Sequence, residues 1–86
     1  MNKEGDLRIW WVPQVPMNAF YVYVDSIKEA IKVYNILADY DYFQFENNVK
    51  GDYANAGGLQ VFEDGEWLDW LDENGEDFDY MIVNLL

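Results

Sequence analysis

Between residues 63 and 79 the chain packs nine carboxylates into seventeen positions: Glu63, Asp64, Glu66, Asp69, Asp72, Glu73, Glu76, Asp77 and Asp79. Like charges at this density repel one another, and that self-repulsion works against any compact state. The block is nevertheless interleaved with Phe62, Trp67, Leu68, Trp70, Leu71 and Phe78. Such a segment has to fold, with rings and aliphatics inward and acids outward, rather than trail as a loose acidic tail. The imbalance divides the chain in two. Residues 1–50 hold all five basic residues and seven acids, whereas residues 51–86 hold ten acids and no base.

The whole chain is 86 residues long with a formal net charge of −12, and aromatics make up 19% of it. That length predicts one small domain, spanning 1–86, whose thin core is filled by large rings. Its acidity excludes nucleic-acid binding through a basic face, because neutralising phosphates requires Lys and Arg. With no Cys and no His, disulfides, zinc sites, redox centres and imidazole catalysis are excluded too. Thr is absent and Ser26 is the single aliphatic hydroxyl, so no enzymatic activity and no cofactor is expected. The N-terminal MNKEGDLRIWW lacks the apolar core of a signal peptide. The longest apolar stretch, Ala19 to Val24, is far short of the ~20 residues that span a bilayer. The expectation is a soluble, cytoplasmic protein with no membrane association.

Periodicity outlines the elements. Leu7–Val12 is apolar on both alternating faces, with Arg8 its one charge, the pattern of a strand covered on both sides. Pro13 and Pro16 stop the ladder and make 13–18 an extended linker. Phe20–Val24 is β-branched and aromatic throughout, a second strand. Ser26 and Glu29 form a capping box for a helix whose apolar stripe is Ile27, Ala30, Ile31, Tyr34, Leu37 and Ala38, with Lys28, Glu29, Lys32 and Asn35 opposite. Ser26 therefore reads as a cap rather than a nucleophile. The alternation in Tyr42–Glu46 predicts a third strand, and 47–58 a loop. Leu59–Glu63 and Glu66–Leu71 flank Asp64-Gly65 and predict a hairpin, followed by a turn over 72–77. The apolar segment 79–86 suits a strand or a short helix equally. The order ββαβββ predicts an α+β fold, one helix packed on a mostly antiparallel sheet.

The acids at 63–79 are the candidate partner-binding residues, together with Trp67 and Trp70. As an extended hairpin the block is roughly 25–30 Å long, so its charges fall one per ~3 Å, within twofold of the ~1.7 Å spacing along duplex DNA. A surface of that density can occupy a basic groove built for nucleic acid; the alternative is a solubilising face. A calcium loop centred on Gly75 fails at both anchors, where Trp70 and Met81 stand in place of an Asp and a Glu. Trp67 and Trp70 are three apart and cannot share a strand face, so one of them can be exposed as an interface anchor. Adjacent Trp10 and Trp11 likewise point to opposite faces, with Trp11 the core member.

Three phrases carry a family likeness: LRIWWVPQVPM (Leu7–Met17), LADYDYFQFENNVKGDY (Leu37–Tyr53) and NAGGLQVFEDGEWLDWLDENGED (Asn55–Asp77). Together they resemble short acidic proteins of phages and bacterial mobile elements, some of them labelled superinfection exclusion proteins. The resemblance implies a protein that helps a resident phage or element against competitors, and it supplies no catalytic residues. A partial likeness to DNA-mimicking antirestriction proteins lies in Tyr53–Gly57 and Glu66–Asp69, at a different spacing. The expected function is therefore inhibition of a host defence or nucleic-acid-handling protein, with the acidic surface in that protein's basic groove. The alternatives are exclusion of a second phage through a partner unrelated to nucleic acid, and a housekeeping adaptor. The oligomeric state is not encoded in any of these features.

Overall fold

A computed structural model describes residues 2–47 and 55–85. Four strands, β1 (Leu7–Val12), β2 (Phe20–Val24), β3 (Ala56–Glu63) and β4 (Glu66–Asp69), form one antiparallel sheet in the order β2-β1-β3-β4. Helix α1 (Ile27–Glu46) crosses one face of β1, β2 and β3, and the shorter α2 (Phe78–Leu85) packs on β3 from the same side. The fold is thus α+β, with the order ββαββα in place of ββαβββ.

Strand alternation decides what meets the helices. Ile9 and Trp11 of β1 and Leu59 of β3 point inward, joining Val24, Ala30, Tyr34, Phe78 and Ile82 in the buried core. The rings are set edge to face, Trp11 on Tyr34 at 5.3 Å and Tyr34 on Phe78 at 5.2 Å, the geometry that aromatic quadrupoles favour. The reverse face of β1, with Arg8 and Trp10, is half-buried. Among the described residues, it is covered by rings from β2, β3 and β4 and not by a second layer of elements.

The helix start is as its capping box predicts. Ser26 Oγ accepts from Glu29 N at 3.0 Å, and Glu29 Oε1 accepts from Asp25 N, one residue ahead of the cap. The expected third strand, Tyr42–Glu46, is instead the last turns of α1. Asp39-Tyr40-Asp41 contains neither Gly nor Pro, so nothing there breaks the helical ladder. The aromatic alternation that imitates a strand comes from Phe43 and Phe45, both exposed. Asn47 ends α1: its backbone N and its Nδ2 both donate to Phe43 O, at 3.1 and 2.8 Å. Of the expected loop at 47–58, Ala56–Gly58 already belongs to β3, and 48–54 lie outside the described residues.

The β3–β4 hairpin turns at Asp64-Gly65, whose φ values of 53° and 82° are the two positive angles of a type I′ turn. Strand β4 ends at Asp69, two residues earlier than expected. Trp70 N still donates to Leu59 O at 3.0 Å, and Leu71 then pairs only in an isolated bridge with Asp77. The undecided segment after residue 78 is the helix α2.

Candidate functional site

The outer face of the sheet carries a cluster centred on Arg8. Its neighbours follow from register: Arg8 stands opposite Tyr23 on β2 and Gln60 on β3, and Trp10 opposite Tyr21 and Gly58. The guanidinium lies between two rings, 3.9 Å from the Tyr21 centroid and 4.2 Å from that of Trp67, while Nε donates to Gln60 Oε1 at 2.7 Å. Both π-faces attract the cation, and the planar group can stack on them while keeping its hydrogen bond. Trp67 reaches this position from β4 by leaning across the sheet. It meets Phe62 at 5.3 Å and Tyr23 at 5.9 Å, edge to face in both cases. Tyr21 and Tyr23 are about half exposed, 45% and 59%, so the cluster is accessible rather than sealed.

Asp69 shares the face of this cluster, and further acids gather at the hairpin tip, where the Glu63–Glu66 pair points to the opposite face. Asp69 is exposed on β4, opposite Gln60. At the hairpin tip, Glu63, Asp64 and Glu66 are all exposed, with Glu63 and Glu66 directly paired across the two strands. Glu4 joins them, because Gly5 N donates to Phe62 O and Phe62 N to Asp6 O, which draws the N-terminal residues alongside β3. Asp64 N then donates to Glu4 Oε1 at 3.2 Å.

Four of the remaining candidate residues, Trp70, Asp72, Asp77 and Asp79, have structural partners. Trp70, on the helix-covered side, packs on Phe78 at 6.2 Å. Asp72 Oδ1 accepts from Asn74 N at 2.8 Å and Glu76 N at 2.9 Å, holding the 72–77 turn in shape. Asp77 Oδ1 accepts from Tyr80 N at 2.8 Å, the N-cap of α2. Asp79 Oδ1 accepts from Tyr34 OH at 2.6 Å. Burial first, and then the Asp79 hydrogen bond and charge, push the Tyr34 hydroxyl well above its ordinary pKa, so it stays a donor. Glu73 is exposed and Glu76 half-buried in the turn.

The hairpin therefore unites Glu63, Asp64, Glu66, Trp67 and Asp69 on one structural unit, and the other six candidates lie beyond it. Sequence reasoning passed over Arg8, Tyr21, Tyr23, Gln60 and Glu4. The signal for Arg8 was a lone charge within an aromatic strand, which needs a partner to be half-buried. Among the described residues, no helix is long and apolar enough to cross a membrane.

Comparison with known proteins agrees with the likeness in the three phrases. The family model described as superinfection exclusion gene product 17 matches residues 6–85. A superinfection exclusion protein of Salmonella phage P22 is 45% identical, over 78% of this chain and 78% of that protein. No solved structure matches the chain. The chain belongs to the superinfection exclusion gene product 17 family.

Proposed function

We propose that this protein excludes a superinfecting phage by binding a protein partner with the outer face of its sheet. The observation that carries the reading is the Arg8 guanidinium held between Tyr21 and Trp67, within an accessible aromatic surface that also carries Asp69 and ends at the acidic hairpin tip. Interface centres are enriched in Trp, Tyr and Arg, which bury large areas at low entropic cost. One arginine beside Asp69, on a chain of net charge −12, does not attract phosphates, which makes a protein the suitable occupant rather than a nucleic acid. The acidic edge would steer a partner with a basic surface and accelerate encounter, most strongly at low salt.

The hairpin-tip acids support a second, finer reading, in which the partner is a host protein with a basic nucleic-acid-binding groove and the tip enters that groove as a DNA mimic. Two plating assays separate the readings. Exclusion lowers the plating of a second phage on cells expressing this chain, whereas inhibition of a defence system raises plating on a defended host. Trp67→Ala should abolish whichever effect is found, and lysines at Glu63, Asp64 and Glu66 should weaken it. Unchanged plating effects in both variants, with folding intact by circular dichroism, would exclude the outer face as the site.

A further inference from the structure

The two edges of the sheet are built differently. Strand order places β2 at one edge and β4 at the other, each hydrogen-bonded to a single neighbouring strand among the described residues. An open edge is a template for a further strand, and proteins blunt it with charges, Pro, bulges or very short strands. β4 is blunted: it has four residues, and two of them, Glu66 and Asp69, are exposed carboxylates. β2 is not. Phe20–Val24 holds no charge, Pro or Gly, pairs in unbroken register with β1, and leaves Phe20, Tyr21 and Tyr23 about half exposed or more. Its alternate residues direct their N–H and C=O groups away from β1. On the helix-covered side, Tyr40 of α1 lines one recess with Phe20 and is 59% exposed, with Ile36 exposed one turn before it. Exposed apolar surface thus continues from the β2 edge onto the flank of α1 above it.

We propose that β2 pairs antiparallel with β2 of a second copy of this chain, joining two four-stranded sheets across a two-fold axis. The strand is self-complementary. With the axis at Val22, Phe20 stands opposite Val24 of the second copy, Tyr21 opposite Tyr23, and Val22 opposite itself, so every position meets an apolar or aromatic neighbour. Charge favours a second copy as the occupant. The uncharged edge offers nothing to a basic or acidic segment, and within a chain of net charge −12 it is the place where two copies repel each other least. Residues 1–50, which supply β1, β2 and α1, carry five basic residues against seven acids, and the other ten acids come after residue 50. β4 lies three strand spacings from β2, so at ~4.8 Å per spacing the two β4 strands of the paired sheet stand about 34 Å apart. That is several times the ~8 Å Debye length at physiological salt. Pairing also brings the Tyr21 and Tyr23 rings of the two copies side by side, but the inference does not rest on what the outer face binds.

Sedimentation equilibrium of the intact chain at physiological salt reads the mass directly. It should rise from 10.2 kDa toward twice that value between about 1 μM and about 1 mM. Tyr23→Lys places on the edge the kind of charge that blunts natural edges, and it should raise the dissociation constant tenfold or more. Leu71→Lys makes the same charge change at an exposed site beyond β4 and should leave the constant within twofold. Amide hydrogen exchange locates the contact without any substitution. Between dilute and concentrated protein, the edge-facing amides of β2 should slow at least fivefold, and those of β4 should not change. These exchange data decide alone should Tyr23→Lys fail to fold. A chain that stays monomeric to about 1 mM overturns the proposal, and the β2 edge would then be open to a strand of another protein. Association that leaves β2 exchange unchanged, or that is indifferent to a folded Tyr23→Lys, overturns it as well.

Discussion

Trp11 lies against Gly57 across the β1–β3 ladder, so close that a Cβ at Gly57 would come within 2.4 Å of the indole Cε3 and 3.1 Å of the Tyr34 ring. The next pair repeats the arrangement on the other face, where a Cβ at Gly58 would come within 2.6 Å of Trp10 Nε1. Two adjacent tryptophans are thus matched by two adjacent glycines, and the ladder brings a large ring down onto bare backbone on both sides of the sheet.

The two glycines should differ in cost. Gly57→Ala presses on Trp11, which is 4% exposed and fixed by its bond to Asp41, so the core must shift. Overpacking of this kind costs about 1–3 kcal/mol. Trp10 is half-buried on the outer face and has room to move, so Gly58→Ala should cost about half as much. Urea denaturation of the two variants measures the difference, and an equal cost would show that Trp11 relaxes as freely as Trp10.

These pairings also mark how far the sequence can be read. Strands β1 and β2, the Ser26 cap and the Asp64-Gly65 turn were legible because each is specified by neighbours a few residues apart. Tyr42–Glu46 misled because its aromatic alternation is a surface feature of an uninterrupted helix, and exposed rings carry no information about which face is buried. The Arg8 cluster was hidden for a different reason. It joins β1, β2 and β4, and Trp67 reaches Arg8 only once β3 has been placed between them. Among the acids, sequence could count charges but could not separate the exposed Asp69 from Asp72, whose oxygen is occupied by two backbone donors.

That separation is measurable. Asp72→Ala removes two hydrogen bonds from the 72–77 turn and should cost about 1–2 kcal/mol, because bonds to a charged acceptor are the stronger kind. Asp69→Ala, at an exposed strand position, should stay within about 0.5 kcal/mol. Comparable losses in thermal or urea unfolding would contradict the division of roles. It also follows that charge-reversal tests of the surface should use Glu63, Asp64, Glu66 and Asp69, and leave Asp72 intact.

Alkaline pH should unfold the protein through Tyr34. Its folded pKa is raised by burial and by Asp79, so the folded state holds this proton more tightly than the unfolded state. The associated stability is complete below the ordinary tyrosine pKa of about 10 and falls as pH climbs above it. Tyr34→Phe should lose about 1 kcal/mol near neutrality, from the missing bond to Asp79, and should show a shallower decline between pH 9 and 11. Parallel declines for the two proteins would assign the alkaline loss to other groups.

Salt should stabilise the fold. With −12 overall and ten acids after residue 50, repulsion within the carboxyl-terminal half is long-ranged, and a Debye length of ~10 Å at 0.1 M screens much of it. The Tm should rise from low salt to a few hundred millimolar NaCl. A flat or falling Tm would mean that the acids are already compensated.

The outer-face cluster predicts a coupling between Arg8 and Trp67 that can be measured without any partner. Arg8→Ala removes the cation from two rings and leaves Gln60 without its donor, while Trp67→Ala removes one ring along with its contacts to Phe62 and Tyr23. If the guanidinium and the indole attract each other directly, the double variant should lose about 0.5–2 kcal/mol less than the sum of the single ones, the range of cation–π pairs from exposed to desolvated sites. Arg8→Lys sharpens the test. It keeps the charge but replaces the planar, stacking guanidinium with a strongly hydrated point charge, so most of the coupling should vanish along with the Gln60 bond. Strict additivity of Arg8→Ala and Trp67→Ala in urea unfolding would mean that the two side chains are merely adjacent. The accessible rings would then be held by packing on Phe62 and Tyr23 alone, and the outer face would have no fixed cationic centre to present to a partner.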